Sequence, residues 1–445
     1  MLKSILIANR GEIALRVART CREMGIRTVA ACSSADRDSA VARFADETVV
    51  IGPAAPRRSY LNIPAVIEAA LMSGAEGVHP GYGFLSEDPD FAEVCQAHGL
   101  TFVGPPAEVM TRLGDKAGTR TIMAAAGLPT VPGSTGAVPD EATAREVAAA
   151  VGYPVIVKAV AGGGGRGMRV VHAPEDLADA FRECVASARA VFGDGRVYLE
   201  RFVEPARHVE VQVLCDRHGG GVHLGARDCS VQRRHQKLVE ETPPPGLPAP
   251  LVERMCEAAV RGALAVGFTG AGTFEFLVSG DEFFFIEINC RIQVEHPVTE
   301  MVTGVDLVRE QINVAAGLPL DTAPVRMRGA ALECRVNAED PRRGFAPTPG
   351  TLTEFEPPGG PFTRVDTHAR PGWTVTPDYD SLLAKVVVWA PDRAGAIARM
   401  DRALSEFRVG GPGVRTTVGV LREVLADPRF ASASHDTSLL DGLLP

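Results

Sequence analysis

No stretch of this 445-residue chain approaches the ~18 uninterrupted apolar residues that a spanning helix needs. A membrane is therefore not an expected partner. The first ten residues, Met1 to Arg10, hold too short an apolar run for a secretory leader and meet charge at once. A cytoplasmic location is the expectation. Cysteine pairs at metal or redox spacing are also missing. The nine cysteines are scattered, their number is odd, and no two are spaced Cys-x-x-Cys. This excludes a disulfide scaffold and gives no zinc signature. Nor is there a basic excess: 46 Lys and Arg stand against 55 Asp and Glu, a net charge of -9. Bulk attraction to nucleic acid is not expected. Local Lys/Arg clusters can still bind small anions.

Two phosphate-binding signatures are absent. The first strand-to-helix turn reads Asn9-Arg10-Gly11-Glu12, not Gly-x-Gly-x-x-Gly, so a dinucleotide site is unsupported. No Gly-x-x-x-x-Gly-Lys-Ser/Thr loop occurs, which excludes the standard P-loop. What is present is an ordinary globular composition, 45% hydrophobic and 23% charged, in a chain long enough for about three domains. Residues 4–9 read as a strand, Ile13, Val17, Cys21 and Met24 recur at helical spacing, and 27–32 read as a second strand. Strand, helix, strand implies a parallel sheet. Residues 79–87 are a loop by composition. The pattern changes near residue 113, before a Gly/Pro-rich stretch. From 153 onward short strands dominate, with helices at 175–191 and 251–266. A last region from about 329 mixes strands with a helix at 394–407.

Four segments carry chemistry. Lys158 ends a strand that runs into Gly162-Gly163-Gly164-Gly165. Consecutive glycines are costly in entropy, but they let backbone N–H groups approach an anion closely. A phosphate loop and a flexible hairpin turn are the two readings. Second, residues 272–278 and 282–288 read as a hairpin that places Glu275 opposite Glu287. Like charges directly opposite destabilise a sheet. A divalent cation between them, held by oxygen ligands, would resolve this; so would an ion pair on one glutamate. Without metal, an uncompensated repulsion is the expectation. Third, residues 289–297 pack Asn289, Arg291, Gln293 and Glu295 together. The Arg and Gln donors suit a small planar oxyanion, and Glu295 is placed to act as its base. A polar surface loop is the alternative. Fourth, residues 228–237 read most simply as a solvated basic loop. Cys229 reads as structural, and His208 and His235 as polar contacts.

Taken together, residues 8–12, 79–87, 158–171, 227–237, 270–276, 287–301 and 333–340 resemble the biotin carboxylase family, within the ATP-grasp superfamily. The resemblance implies a mixed α/β and α+β multidomain chain. A Rossmann-like domain would span 1–112 and an ATP-grasp domain 113–328, with a mobile glycine-rich lid at about 130–203. A biotin carboxylase C-terminal domain would span 329–445. It implies an ATP-dependent ligase that makes carboxyphosphate from MgATP and bicarbonate and then carboxylates the ureido nitrogen of biotin. Lys116, Lys158 and the lid glycines Gly163, Gly164 and Gly165 would meet the ATP phosphates. Glu200, Arg201, Phe202 and Val203 would hold the adenine. His208, Gln232, His235 and Lys237 would line the nucleotide and bicarbonate side. Glu275, Glu287 and Asn289 would hold Mg²⁺ or Mn²⁺. Arg291, Gln293 and the Val294 N–H, with Lys237, would bind bicarbonate, with Glu295 as base. Arg335 would stabilise the biotin enolate oxygen, and Tyr82 would sit near the ring. Cys290 stands where the family usually has threonine, and the glycine run is shorter than the family's. No Met-Lys-Met biotinylation sequence occurs. The expectation is therefore a stand-alone subunit of an acetyl-/acyl-CoA carboxylase, a homodimer served by a separate biotin carboxyl carrier protein and carboxyltransferase. A carbamoyl-phosphate-type ligase and a catalytically silent scaffold are the alternatives. Arg291–Glu295 with Arg335 argues against the first, and the intact charged set against the second.

Overall fold

The computed structural model describes residues 1–161, 167–233 and 236–443. Five short strands open the chain: β1 (Ser4–Ile7), β2 (Arg27–Ser33), β3 (Glu47–Gly52), β4 (Gly77–His79) and β5 (Thr101–Phe102). They form one parallel sheet in the order β3-β2-β1-β4-β5. The apolar stripe read at helical spacing is the buried face of helix Gly11–Glu23, which packs Ile13, Val17 and Cys21 into the core. The chain leaves β1 toward β2 on one side, while β4 pairs on the other. The carboxyl ends of β1 and β4 thus mark a crevice where an α/β sheet presents residues to a ligand. Asn9 stands at one end and the 79–87 loop at the other.

A small second layer follows. Strands β6 (Val155–Ala159), β7 (Met168–Val171) and β8 (Val197–Arg201) form an antiparallel sheet in the order β7-β6-β8. Helices Glu141–Val151 and Leu177–Phe192 bury Ala144, Ala148, Phe181 and Cys184 in the same apolar cluster as Val155 and Val157.

The largest element is an eight-stranded antiparallel sheet. Its strands are β9 (Arg207–Cys215), β10 (Gly221–Arg233), β11 (Gln236–Thr242), β12 (Gly270–Ser279), β13 (Glu282–Asn289), β14 (Ala330–Asn337), Thr363–Thr367 and Leu382–Ala390. The order is β13-β12-β9-β10-β11-β14, then Leu382–Ala390 and Thr363–Thr367. The sheet runs through position 329 without a break, because β11 pairs with β14. Side chains alternate between faces. Val209, Val211, Val213, Phe274 and Phe276 share a buried core with helix Ala249–Ala265. The opposite face carries Glu210, Lys237, Glu275 and Arg335. No described helix is long and apolar enough to cross a membrane.

Of the segment read as a solvated basic loop, residues 228–233 are the end of β10 and residues 236–237 the start of β11. Arg227 is fully buried, and Asp228, Cys229 and Ser230 are buried beside it. Asp228 and Lys237, at the two ends of this segment, are ion-paired across the sheet rather than solvated.

Candidate active site

A cleft of about 1540 Å³ runs between the parallel-sheet region, the small sheet and the charged face of the large sheet. Among the anticipated site residues, Tyr82, Lys116, Lys158, Glu200, Arg201, Phe202, Val203, His208, Gln232, Lys237, Glu275, Glu287, Asn289, Arg291, Gln293, Val294 and Arg335 all line it. Glu295 lies just behind the wall, fully buried. Gly163, Gly164, Gly165 and His235 lie outside the described residues.

The centre of the charged face is Lys237. Its Nζ donates to Glu210 Oε2 at 2.5 Å, Glu295 Oε1 at 2.7 Å and Glu275 Oε1 at 3.0 Å. Burial opposes its charge, but the three carboxylates hold its pKa well above the usual lysine value. Glu295 is bracketed from the other side by Arg335 Nη2, which donates to Oε2 at 2.9 Å. Burial alone would raise the pKa of Glu295. Lys237, Arg335 and Arg227 outweigh it and keep the carboxylate ionised, with a pKa well below the usual range. Arg335 also donates to Glu240 Oε1, at 2.6 Å from Nε.

Arg291 is aimed by three acceptors. Its Nε donates to Glu87 Oε2 at 2.9 Å, Nη1 to Gln293 Oε1 at 3.0 Å and Nη2 to Asn289 Oδ1 at 3.1 Å. Glu87 also accepts the Cys290 N–H at 2.9 Å, which clips the 79–87 loop onto the chain just past the end of β13, beside Arg291. That loop is held from β1: Asn9 Nδ2 donates to Pro80 O at 2.7 Å and Tyr82 O at 2.8 Å. Gly81 is required there. Its φ is +63°, and a Cβ would meet Asn9 Nδ2 at 2.9 Å. Tyr82 donates its hydroxyl to Glu12.

At the other end, Lys116 Nζ donates to Glu287 Oε2 and Lys158 Nζ to Glu200 Oε2, each at 2.6 Å. Two ammonium groups thus face the cleft, each held by one carboxylate.

The hairpin register is as the spacing predicts: Glu275 pairs with Glu287. The expected uncompensated repulsion is not found. Each carboxylate has its own cations, because the fold brings in residues remote in sequence. Glu287 has Lys116. Glu275 has Lys237, with His208 Nε2 at 2.9 Å and donors from Asn289 at 2.9 Å and Gln293 at 3.2 Å. Burial works to raise the pKa of Glu275, but Lys237 and His208 drive it well below the usual value. Both carboxylates and the Asn289 amide line the cleft, and their oxygens form a set that fits a hard divalent cation.

Several contributors escape a linear reading. Glu87, Glu210, Glu240 and Arg227 act across 17 to 204 residues of sequence separation. Lys385 is fully buried, donates to Val294 O at 2.8 Å and lies 3.1 Å from Glu12 Oε1. The signal for it is a lysine inside the apolar strand Leu382–Ala390.

Family models match along the chain. "Biotin carboxylase, N-terminal domain" covers residues 1–110, "Carbamoyl-phosphate synthase L chain, ATP binding domain" 115–323, and "Biotin carboxylase C-terminal domain" 333–442. The biotin carboxylase of Nostoc sp. is 51% identical over 439 residues, 98% of each chain. A pyruvate carboxylase subunit from Methanothermobacter thermautotrophicus is 46% identical over 443 residues, covering 99% of this chain and 90% of that one. The biotin carboxylase–β,γ-ATP complex from Campylobacter jejuni superposes with a TM-score of 0.97 at 45% identity, covering 99% of both chains. The biotin carboxylase domain dimer of Hydrogenobacter thermophilus 2-oxoglutarate carboxylase, with MgADP, ADP and bicarbonate, gives a TM-score of 0.95 at 44% identity, covering 99% and 98%. With this fold, this cleft and this identity from end to end, the chain belongs to the biotin carboxylase family of ATP-dependent ligases.

Proposed function

We propose that this protein carboxylates biotin on a separate carrier protein through carboxyphosphate, as the first half-reaction of an acetyl-/acyl-CoA carboxylase. The observation that carries the reading is Glu295, ionised and held between Lys237 and Arg335, beside an Arg291 already aimed by Glu87, Asn289 and Gln293. Bicarbonate is a small planar oxyanion. A guanidinium, the Gln293 amide and the Val294 N–H suit it, with Glu295 next in sequence to take its proton. The bicarbonate oxygen then attacks the γ-phosphorus of ATP, and ADP leaves. Lys116 and Lys158 hold the phosphates, while Glu200 to Val203 hold the adenine, joined by His208, Gln232 and His235. Glu275, Glu287 and Asn289 would hold Mg²⁺ or Mn²⁺, which supplies charge neutralisation on the triphosphate. Gly163 to Gly165 close over the phosphates. Carboxyphosphate hydrolyses in water, so a lid spanning about residues 130–203 has a purpose. On the acceptor side Tyr82 contacts the biotin ring. Arg335 stabilises the negative charge that develops on the ureido oxygen as the neighbouring nitrogen loses its proton. That nitrogen attacks the carboxyl carbon of carboxyphosphate, the bond from that carbon to the phosphate oxygen breaks, and inorganic phosphate leaves with the proton.

The division of residues 1–112, 113–328 and 329–445 into three functional regions belongs to the same reading. So do a homodimeric state, a cytoplasmic location, and a carrier protein and carboxyltransferase as partners. The test is a carrier comparison. Biotin on its carrier protein should show a far higher kcat/KM than free biotin, because remote contacts supply orientation. Equal efficiency would contradict a dedicated carrier.

A further inference from the structure

Beside Arg335 two buried acidic residues stand opposite each other on neighbouring strands, with three of their four carboxyl oxygens unpartnered among the described residues. Glu240 on β11 and Glu333 on β14 are directly opposite in the antiparallel register, so their side chains project from the same face of the sheet. Both are fully buried. Glu240 Oε1 accepts from Arg335. Glu240 Oε2 and both oxygens of Glu333 have no hydrogen-bond partner among the described residues.

Three orphaned oxygens on two facing buried carboxyls are not tenable if both are ionised. A buried carboxylate without a donor carries the full desolvation cost, and the second charge adds repulsion. One proton relieves both faults: the acid O–H of one group donates to a free oxygen of the other, the second charge is gone, and a single neutral carbonyl oxygen is left without a donor. We propose that Glu240 and Glu333 share one proton in the resting enzyme, and that this acid–carboxylate pair positions the Arg335 guanidinium for biotin.

The surrounding charges fit one proton, not none. Arg335 lies two residues along β14 from Glu333, on the same face, and divides its donors between Glu240 and Glu295. Lys385, opposite Arg335 on the next strand, is committed to Val294 O and Glu12. Lys237, on the β11 side, is committed to Glu210, Glu275 and Glu295. Helix His296–Thr303 covers β14. Burial first, then Lys385 and Arg16, keeps the His296 ring of that helix neutral. Among the described residues no cation donates a hydrogen bond to Glu333. Burial accordingly pushes Glu240 up to about 7 and Glu333 well above the usual range, against the pull of Arg335 and Lys385.

The pair matters because of what it holds. The anionic half anchors Arg335 through Glu240 Oε1, while the acidic half occupies Glu240 Oε2 and keeps Glu333 from competing for the guanidinium. Glu333 is a positioning residue: it acts through Glu240 on Arg335. The inference rests on Arg335 serving the biotin side.

The test has a spectroscopic and a kinetic arm, both on the full chain with free biotin as acceptor. Infrared difference spectra across a pH titration, with ¹³C-glutamate labelling, should show a protonated-carboxyl C=O band at neutral pH. It should disappear in Glu333→Gln and shift in Glu240→Gln. In kinetics, Glu240→Gln should lower kcat/KM for biotin by roughly tenfold to a hundredfold, the effect of losing one charged hydrogen bond, with KM for ATP within about twofold. Glu333→Gln carries no proton to lose, so the alkaline fall in biotin kcat/KM should move to higher pH than in the parent. Absence of a protonated carboxyl in the parent, with water bridging the orphaned oxygens instead, would overturn the proposal. So would a Glu240→Gln variant that loses ATP and biotin binding alike. If Glu333→Gln fails to fold, the labelled parent spectrum and Glu240→Gln still decide. A band that is present while Arg335→Ala leaves biotin carboxylation intact would sink the Arg335 reading and leave the shared proton standing.

Discussion

Replacing Glu275 with Gln separates two accounts of the same pair of glutamates. If Glu275 and Glu287 simply repelled each other across the hairpin, removing one charge would stabilise the metal-free protein by on the order of 1 kcal/mol. The structure reverses that sign. Glu275 is 4% exposed and anchors Lys237 at 3.0 Å and His208 at 2.9 Å. Removing one partner of a buried ion pair costs about 3–5 kcal/mol when the other is left alone. Lys237 is not left alone, since Glu210 and Glu295 stay at 2.5 and 2.7 Å. The Gln carbonyl can still accept from Asn289 and Gln293. A net loss of about 2 kcal/mol is the expectation, after subtracting the retained partners and the relieved repulsion. At about 2 °C per kcal/mol for a chain of this size, the Tm without nucleotide falls by about 4 °C. Adding MgATP should raise the parent Tm, because a ligand that binds only the folded state stabilises it by mass action. The Gln variant should lose most of that gain and most of its ATP turnover. A variant as stable as the parent without metal would refute the ion-pair account. One that kept both the MgATP shift and the turnover would remove Glu275 from the metal site.

Three further outcomes follow from other parts of the molecule. Arg335→Ala should lose biotin carboxylation while nucleotide affinity, measured by titration, stays within several-fold; equal loss of ATP binding would refute its assignment to the acceptor. Glu295→Gln should lower kcat by roughly 10²-fold, as expected for a general base, with little change in ATP affinity; near-normal turnover would exclude that role. His79 and His368 are held near a pKa of about 3, by burial first and then by Arg16 and Arg10 respectively. Their folded pKa lies below the unfolded value of about 6.5, so the unfolded chain binds the extra protons and stability falls as pH drops below that value. Each should cost about 2 kcal/mol at pH 5 relative to pH 7, and a pH series of denaturant melts on His368→Gln should show a correspondingly shallower slope.

Local patterns in the sequence are enough for the elements and for much of the chemistry. The strand–helix–strand start, the Glu275–Glu287 register and the Asn289–Glu295 cluster are all short-range features, and each appears in the structure. The β10–β11 segment defeats a local reading because its charges are paired inward. Arg227 meets Glu210 17 residues away and Thr299 72 residues away, contacts that no local window contains. The same holds for Glu87 on Arg291 and for Lys385 behind Val294. Compensation of the Glu275 charge likewise depends on Lys237 and His208, supplied by two other strands. What the linear pattern lacks is the pairing of buried charges across strands.

The central claim is that bicarbonate, ATP and biotin meet in one cleft, and label transfer tests it most directly. The full chain, given ¹⁴C-bicarbonate, MgATP and biotin, should place acid-labile label on biotin, with ADP formed in proportion and neither product appearing without bicarbonate. ADP release that ignores bicarbonate, or turnover that leaves biotin unlabelled, would contradict the account.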